Sequence, residues 1–281
     1  MDLVTIRRHV SGADDARPGV TEIVLNRPDA LNAINTEMAD QLVDACSQVA
    51  GEHGGSGGSA AHVAHGALST RAVVLSAAGD RAFCVGADLR ERNAMSDRQI
   101  MAQRTVLRAM FGAVLSLPQP AVAAVSGYAL GGGCEIALSC DLIVADETAV
   151  FGLPETTVGL VPGGGGTQLA LRRLGPARAA DLIFTGRRVD IAEAERLGLV
   201  DRRVPAGTAR TAAVDLAGQI AGNSAIAVKA AKRALRHAWG AGLEAGLDIE
   251  DSAWRTAALS ADREEGIAAF TEKRRPNWPG E

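Results

Sequence analysis

The 281-residue sequence predicts an α/β fold followed by a helical region. Three observations carry that prediction. Short apolar runs of strand length alternate with segments of helical spacing as far as about Val204, and the β signal disappears after about Ala206. Apolar residues make up 47% of the chain, enough for a substantial core. No run of eighteen apolar residues occurs, so no membrane-spanning helix is expected.

Residues 3–9 and 20–26 read as strands, the second apolar enough to be central. Residues 36–50 place Met38, Leu42, Ala45, Cys46 and Val49 at helical spacing. Residues 51–69 are rich in Gly, Ser, His and Ala and read as a flexible surface insertion. A buried strand at 72–75 leads into a loop through Phe83 and Asp88. A helix over 100–117 ends at Pro118 and Pro120, and strands follow at 121–126 and 142–145, with a short helix between them over 136–140. Residues 209–221, 225–239, 243–259 and 263–273 read as successive helices. The predicted division is therefore an α/β core over 1–205 and a helical region over 206–281, packed on the core or used for subunit contacts.

Composition narrows the function. The net charge of −4 argues against a nucleic acid or an anionic membrane as the main partner. Cys46, Cys84, Cys134 and Cys140 form no Cys-x-x-Cys pair and read as buried free thiols. The first residues contain no apolar stretch followed by a small-residue cleavage site, so a cytoplasmic protein is expected.

Several motifs are decoys. Gly54–Gly58 matches Gly-x-Ser-x-Gly, but the strand and helix that this nucleophile turn needs are missing around it. His53, His62 and His65 lack a Cys or carboxylate that would complete a metal site, so no metal is expected. The run Gly163–Gly166 precedes Thr167 and Gln168 rather than Lys-Ser/Thr, which rules out a Walker loop. It reads as a tight turn that shapes a pocket. No dinucleotide fingerprint follows a strand.

Three segments do carry chemistry. The first is Phe83-Cys84-Val85-Gly86-Ala87-Asp88-Leu89. The second is Gly127-Tyr128-Ala129-Leu130-Gly131-Gly132-Gly133-Cys134-Glu135. The third is Phe151-Gly152-Leu153-Pro154-Glu155. The first two each place a glycine-flanked N–H at the mouth of a short helix, where free donors and the helix dipole suit an oxygen that becomes negative. The last two supply one carboxylate each, Glu135 and Glu155.

With these segments, and with Asn26-Arg27-Pro28, Ala30-Leu31-Asn32-Ala33 and the ending from Ala269 to Arg274, the chain resembles the crotonase superfamily of enoyl-CoA hydratases and isomerases nearly end to end. The 51–69 insertion has no expected counterpart. The resemblance implies a crotonase-like spiral of repeated ββα units with a C-terminal helical region, assembled as homotrimers or homohexamers. It implies an oxyanion hole of the Ala87 and Gly132 amides and catalysis of hydration by Glu135 and Glu155. It implies an acyl-CoA thioester as substrate and no cofactor besides the coenzyme A that the substrate carries. Arg27, Ala30, Gly86, Asp88, Leu89, Arg90 and Gly131 are expected around the substrate, with Asp88 capping a helix. Phe270 and Lys273 reach coenzyme A from a neighbouring subunit in relatives. Asp29 stands where many relatives carry Lys, a departure on which backbone contacts from Ala30 do not depend.

Two glutamates favour hydration, since Δ3–Δ2 isomerases of the superfamily tend to use one carboxylate. Residues 83–96, 160–168 and 269–281 resemble the 3-methylglutaconyl-CoA hydratase branch most. A eukaryotic relative in that branch binds AU-rich RNA through a basic helix. The corresponding segment 36–50 carries Glu37, Asp40 and Asp44 and no Lys or Arg, so no RNA binding is expected. Intact glutamates and glycine loops argue against a non-catalytic scaffold protein.

Overall fold

The computed structural model describes residues 2–9, 19–51 and 70–281. The expected insertion, with its Gly-x-Ser-x-Gly match and His53, His62 and His65, lies outside the described residues apart from Gly51. The described elements run β1 (Val4–His9), β2 (Val20–Leu25), α1 (Thr36–Gly51), β3 (Ala72–Ala77), β4 (Ala82–Cys84), α2 (Leu89–Asn93), α3 (Asp97–Leu115), β5 (Ala121–Val125), β6 (Tyr128–Leu130), α4 (Gly132–Ser139), β7 (Leu142–Asp146) and β8 (Val150–Gly152). They continue with α5 (Gly166–Leu174), α6 (Pro176–Thr185), β9 (Arg188–Asp190), α7 (Ile191–Leu197), β10 (Arg202–Val204), α8 (Ala209–Ala221), α9 (Ala225–His237), α10 (Leu243–Ala258) and α11 (Ala261–Thr271).

The strands form two sheets. The larger has the order β1-β2-β3-β5-β7-β10, parallel except where β1 meets β2. The smaller has the order β4-β6-β8-β9, parallel except where β8 meets β9. Each of β3, β5 and β7 belongs to the large sheet, and the strand after it, β4, β6 or β8, belongs to the small one. This is the spiral of ββα turns that the sequence leads one to expect. The small-sheet strands have three residues each, and the sequence reading leaves β4 as loop. Three residues are too few for a period-two pattern, so only pairing reveals them.

Period two is visible in the large sheet. Val73, Leu75, Ala121, Ala123, Val125 and Ile143 enter one apolar cluster with Phe83, Met110, Ile136 and Phe151. Ala72, Val74, Val122 and Val144 point the other way, onto Ala213, Val214, Leu216 and Ala217 of α8. Helix α8 thus forms a layer of the core. Large exposed apolar side chains gather instead on α9–α11 and the segments joining them, among them Leu235, Leu243, Trp254, Leu259 and Phe270. All four cysteines are buried and unpaired, and burial pushes the thiols of Cys46, Cys84 and Cys140 up to about 12.

Charged groups join α9 to the core. Lys232 Nζ lies 2.7 Å from Asp141 Oδ2 and donates to the Gln119 carbonyl at 2.8 Å. Arg236 donates to Asp141 Oδ1 at 2.8 Å and to the Ser139 carbonyl at 3.0 Å, at the C-terminus of α4. Asp141 also accepts the Ala121 N–H at 2.8 Å. Burial draws the Lys232 pKa below the ordinary lysine value, and Asp141 opposes that shift. Removing the carboxylate strands two largely buried cations, so Asp141→Ala should cost about 3–5 kcal/mol. Urea unfolding of the variant beside the unaltered protein measures this, and an unchanged midpoint would refute it.

Candidate active site

Strands β4, β6 and β8 are neighbours and parallel, so their C-terminal ends lie side by side, about 4.8 Å from one strand to the next. One chemistry-bearing segment leaves each end. Gly86, Ala87 and Asp88 lead from β4 into α2. Gly131 leads from β6 into α4. Leu153 leads from β8 into a 3-10 turn, Pro154–Val158, that carries Glu155. Strand order therefore brings together three segments that are far apart in sequence.

Two amides face outward there. Ala87 forms a parallel bridge with Ile34, whose N–H donates to the Gly86 carbonyl at 2.8 Å and whose carbonyl accepts the Asp88 N–H at 2.8 Å. These bonds belong to Ala87's neighbours, so its own N–H points away from Ile34. Gly132 is the first residue of α4, and its N–H has no acceptor within the helix. The two segments meet backbone to backbone: a Cβ on Gly86 would stand 3.1 Å from the Gly132 nitrogen. Gly131 enters the helix at φ 52°, ψ −123°, a conformation for glycine. A Cβ on Gly133 would stand 1.9 Å from the Cys84 carbonyl oxygen.

The carboxylates differ in surroundings. Glu135, in the first turn of α4, is 3% exposed, and its Oε1 accepts the N–H groups of Gly164 at 2.6 Å and Gly166 at 2.8 Å. Burial raises its pKa above the usual carboxylate range, while those two N–H groups and the charge of Arg104 hold the rise back. Glu155 is half-buried beside Gly131, where a Cβ would meet its Oε1 at 3.0 Å. Its Oε2 is shut off from solvent and has no hydrogen-bond partner among the described residues. Burial pushes Glu155 up to about 7, the negative charge of Glu135 adds to the rise, and its own backbone N–H opposes it. Near neutral pH such a pair can hold one proton between two carboxyls, the arrangement needed to give a proton at one atom and take one at another.

The other predicted residues fall in two groups. Asp88 caps α2, accepting the N–H groups of Arg90 at 2.9 Å and Glu91 at 3.3 Å, and it accepts from Arg27 Nη1 at 2.7 Å. Burial raises the Asp88 pKa, but these donors outweigh it and the net shift is downward. Arg27 also donates to the Ala33 carbonyl at 3.0 Å, and Ala30 closes the 3-10 turn that follows Arg27. Leu89 and Arg90 are exposed at the start of α2. Phe270 and Lys273 are exposed at the end of α11, and Lys273 has φ 56°. The tail beyond α11 is tied through Trp278, whose Nε1 donates to the Gly222 carbonyl at 2.7 Å and whose carbonyl accepts from Arg71. Arg71 precedes β3, at the opposite end of that strand from the turn into β4.

The sequence reading gives the glycine run a shape role only. Gly164 and Gly166 are in addition the donors to Glu135. Gly166 begins α5, so its free N–H was available as a signal. Phe111 of α3 was also missed. Its ring would stand 2.3 Å from a Cβ on Gly164 and 3.5 Å from one on Gly132. Only packing between distant segments makes it part of the site.

The spiral of ββα turns, with this loop edge and a helical C-terminal region, defines a protein of the crotonase fold. The crystal structure of an enoyl-CoA hydratase from Bacillus anthracis matches 99% of this chain and 100% of its own, with a TM-score of 0.89 at 37% identity. Residues 58–281 match the enoyl-CoA hydratase/isomerase family, and the chain belongs to that family. A probable mitochondrial enoyl-CoA hydratase 2 of Arabidopsis thaliana is 40% identical over 271 residues, 96% of this chain and 84% of the relative. The 2,3-dehydroadipyl-CoA hydratase of Escherichia coli is 37% identical over 259 residues, 92% of this chain and 94% of the relative.

The contact at Gly133 gives a direct test. A methyl group there drives α4 away from β4, displacing the Gly132 amide and Glu135 together. Gly133→Ala should destabilise the protein by about 3 kcal/mol or more, read as a lowered thermal midpoint. A variant of unaltered stability would show that the backbone contact is not needed.

Proposed function

We propose that this enzyme adds water across the 2,3 double bond of a 2-enoyl-CoA thioester. The Ala87 and Gly132 amides donate to the thioester carbonyl oxygen. As a water oxygen bonds to C3, the electrons of the double bond move toward that carbonyl, and its oxygen gains the charge of an enolate. Donors placed in advance favour that state, each worth about 3–4 kcal/mol, and the N-terminus of α4 adds its dipole. Glu135, as carboxylate, takes a proton from the attacking water. Glu155, protonated, delivers a proton to C2. Water and double bond balance the reaction, so neither a redox cofactor nor a metal is required by the chemistry.

The observation that supports this reading most is the contrast between the carboxyls. Glu135 has one oxygen held by two N–H groups, while Glu155 keeps a buried, partnerless oxygen and a pKa of about 7. Both carboxyls facing one site favour hydration over a double-bond shift by a single carboxylate. On the resemblance, Arg27, Ala30, Gly86, Leu89, Arg90 and Gly131 would line the path of coenzyme A, and Asp88 holds that loop in shape. Phe270 and Lys273 would join it from another copy in a trimer or hexamer. The exposed apolar residues of α9–α11 support such an assembly. On resemblance, a branched 3-methylglutaconyl-type acyl group belongs in the substrate panel. Loss of the crotonyl-CoA double bond, measured beside the double-bond shift of a 3-enoyl-CoA, separates hydratase from isomerase.

The pH profile follows from the single shared proton. Hydration needs Glu155 protonated, so kcat/KM should hold to about pH 7 and fall roughly tenfold per unit above it as Glu155 ionises. Dehydration should show the same profile, because both directions start from the singly protonated pair. Glu155→Gln should lower kcat by about 10²–10⁴-fold and remove the alkaline limb. Unimpaired hydration in that variant would refute the role.

A further inference from the structure

A groove of about 800 Å³ lies apart from the site described above, lined by residues of α3, α5, α9 and α10 and of the turn after α3. None of Ala87, Gly132, Glu135 and Glu155 lines it. Its volume is that of a small-molecule site. Six basic residues line it: Arg172 of α5, and Lys229, Lys232, Arg233, Arg236 and His237 of α9. No Asp or Glu does so among the described residues. In a chain of net charge −4 this is a local reversal of sign.

That charge is only partly matched. Lys232 and Arg236 share one carboxylate, Asp141. Arg172 donates to the carbonyl and the side-chain oxygen of Gln168, both neutral, at 3.1 Å. Arg233 is exposed and makes no hydrogen bond or ion pair among the described residues. Arg236 directs Nε and Nη2 to Asp141 and Ser139, but its Nη1 is shut off from solvent and has no partner among the described residues. A guanidinium cannot shed its charge, so a buried donor left unmatched on it is costly. An anionic oxygen brought by a ligand would match it.

Much of the remaining wall is apolar. Leu115, Leu117, Leu169 and Ile226 line it, and Trp239 stands beside Arg236 with its ring centre 5.2 Å from Cζ. Gly112 is a second, independent observation. It lies within α3, where glycine weakens a helix relative to alanine. A Cβ there would meet nothing within 4 Å. Neither a positive φ nor a close approach calls for glycine at this position, and what its bare backbone leaves is open space in the groove.

We infer that this groove binds an amphipathic anion, an apolar chain ending in a carboxylate or a phosphate, at a place separate from the active site. The guanidinium forks that line the groove suit either head group, and the apolar wall takes the chain. The groove shares a helix with the active site: α5, which carries Arg172 and Leu169, begins at Gly166, a donor to Glu135. The inference does not depend on which reaction that site performs.

Calorimetric titration of the full chain with decanoate, decyl phosphate and 1-decanol tests this, with acetate and inorganic phosphate as head groups alone. Decanoate or decyl phosphate should bind at one site per chain, about tenfold or more tighter than 1-decanol, and the tighter of the two identifies the head group. The isolated head groups should bind about tenfold or more weakly than the chain that carries them. Gly112→Leu puts a side chain where a Cβ meets nothing, so it should keep or raise the thermal midpoint and abolish binding. The double variant Arg172→Gln, Arg233→Gln leaves the Asp141 link intact and should weaken binding about tenfold. Saturating butyryl-CoA should leave the Kd unchanged. Equal binding of 1-decanol, or of a head group alone, would overturn the inference, as would no binding by any probe. Undiminished binding in both variants would also overturn it. Displacement by butyryl-CoA would place the chain in the active site instead. A fall in oligomeric mass on Gly112→Leu, read by light scattering, would make the groove a seat for a second copy, and either result overturns the inference.

Discussion

Helix α4 lies with its first turn pressed backbone to backbone on β4, and the site is built on that contact. A Cβ at Gly133 would overlap the Cys84 carbonyl, so the absence of one side chain sets the distance between the two elements. Gly132, one residue earlier, thereby reaches Gly86, and Glu135, two residues later, is carried inward until it is 3% exposed. An amide and an acid are placed by one packing event. The same contact explains why the three-residue strands suffice. Their pairing is short, but Phe83, Cys84, Ala129 and Phe151 of these strands share one apolar cluster with Cys134, Ile136 and Ala137 of α4.

Burial then makes two chemically identical side chains behave differently. Glu135 enters the interior with compensation, since the Gly164 and Gly166 amides take one of its oxygens and Arg104 lies within range. Glu155 enters with an oxygen left unmatched, and its proton is held to about pH 7. Desolvation is the larger influence on both, and the local donors decide which carboxyl yields its proton first.

The C-terminal region is not a separate appendage in energetic terms. Helix α8 covers the second face of the large sheet, and α9 reaches the back of α4 through Arg236 and the Ser139 carbonyl. Asp141, shared by Lys232 and Arg236, also accepts from the amide at the start of β5. A displacement of α9 is therefore felt at the C-terminus of the helix that carries Glu135. Leu235, Leu243, Trp254, Leu259 and Phe270 of this region are exposed.

Much of this was legible in the residues themselves. Strand alternation to Val204 and helices at 209–221 and beyond follow from periodicity, and the glycine-flanked amides from local rules for helix starts, which act over a few residues; the pairing of those amides with Glu135 and Glu155 came with the family resemblance. The three-residue strands did not follow, because a period needs length. Nor did the bond from the glycine run to Glu135 or the place of Phe111 beside Gly132. Each of these depends on which distant segments meet, and only close packing of the whole chain, where a single Cβ decides whether two backbones touch, settles that.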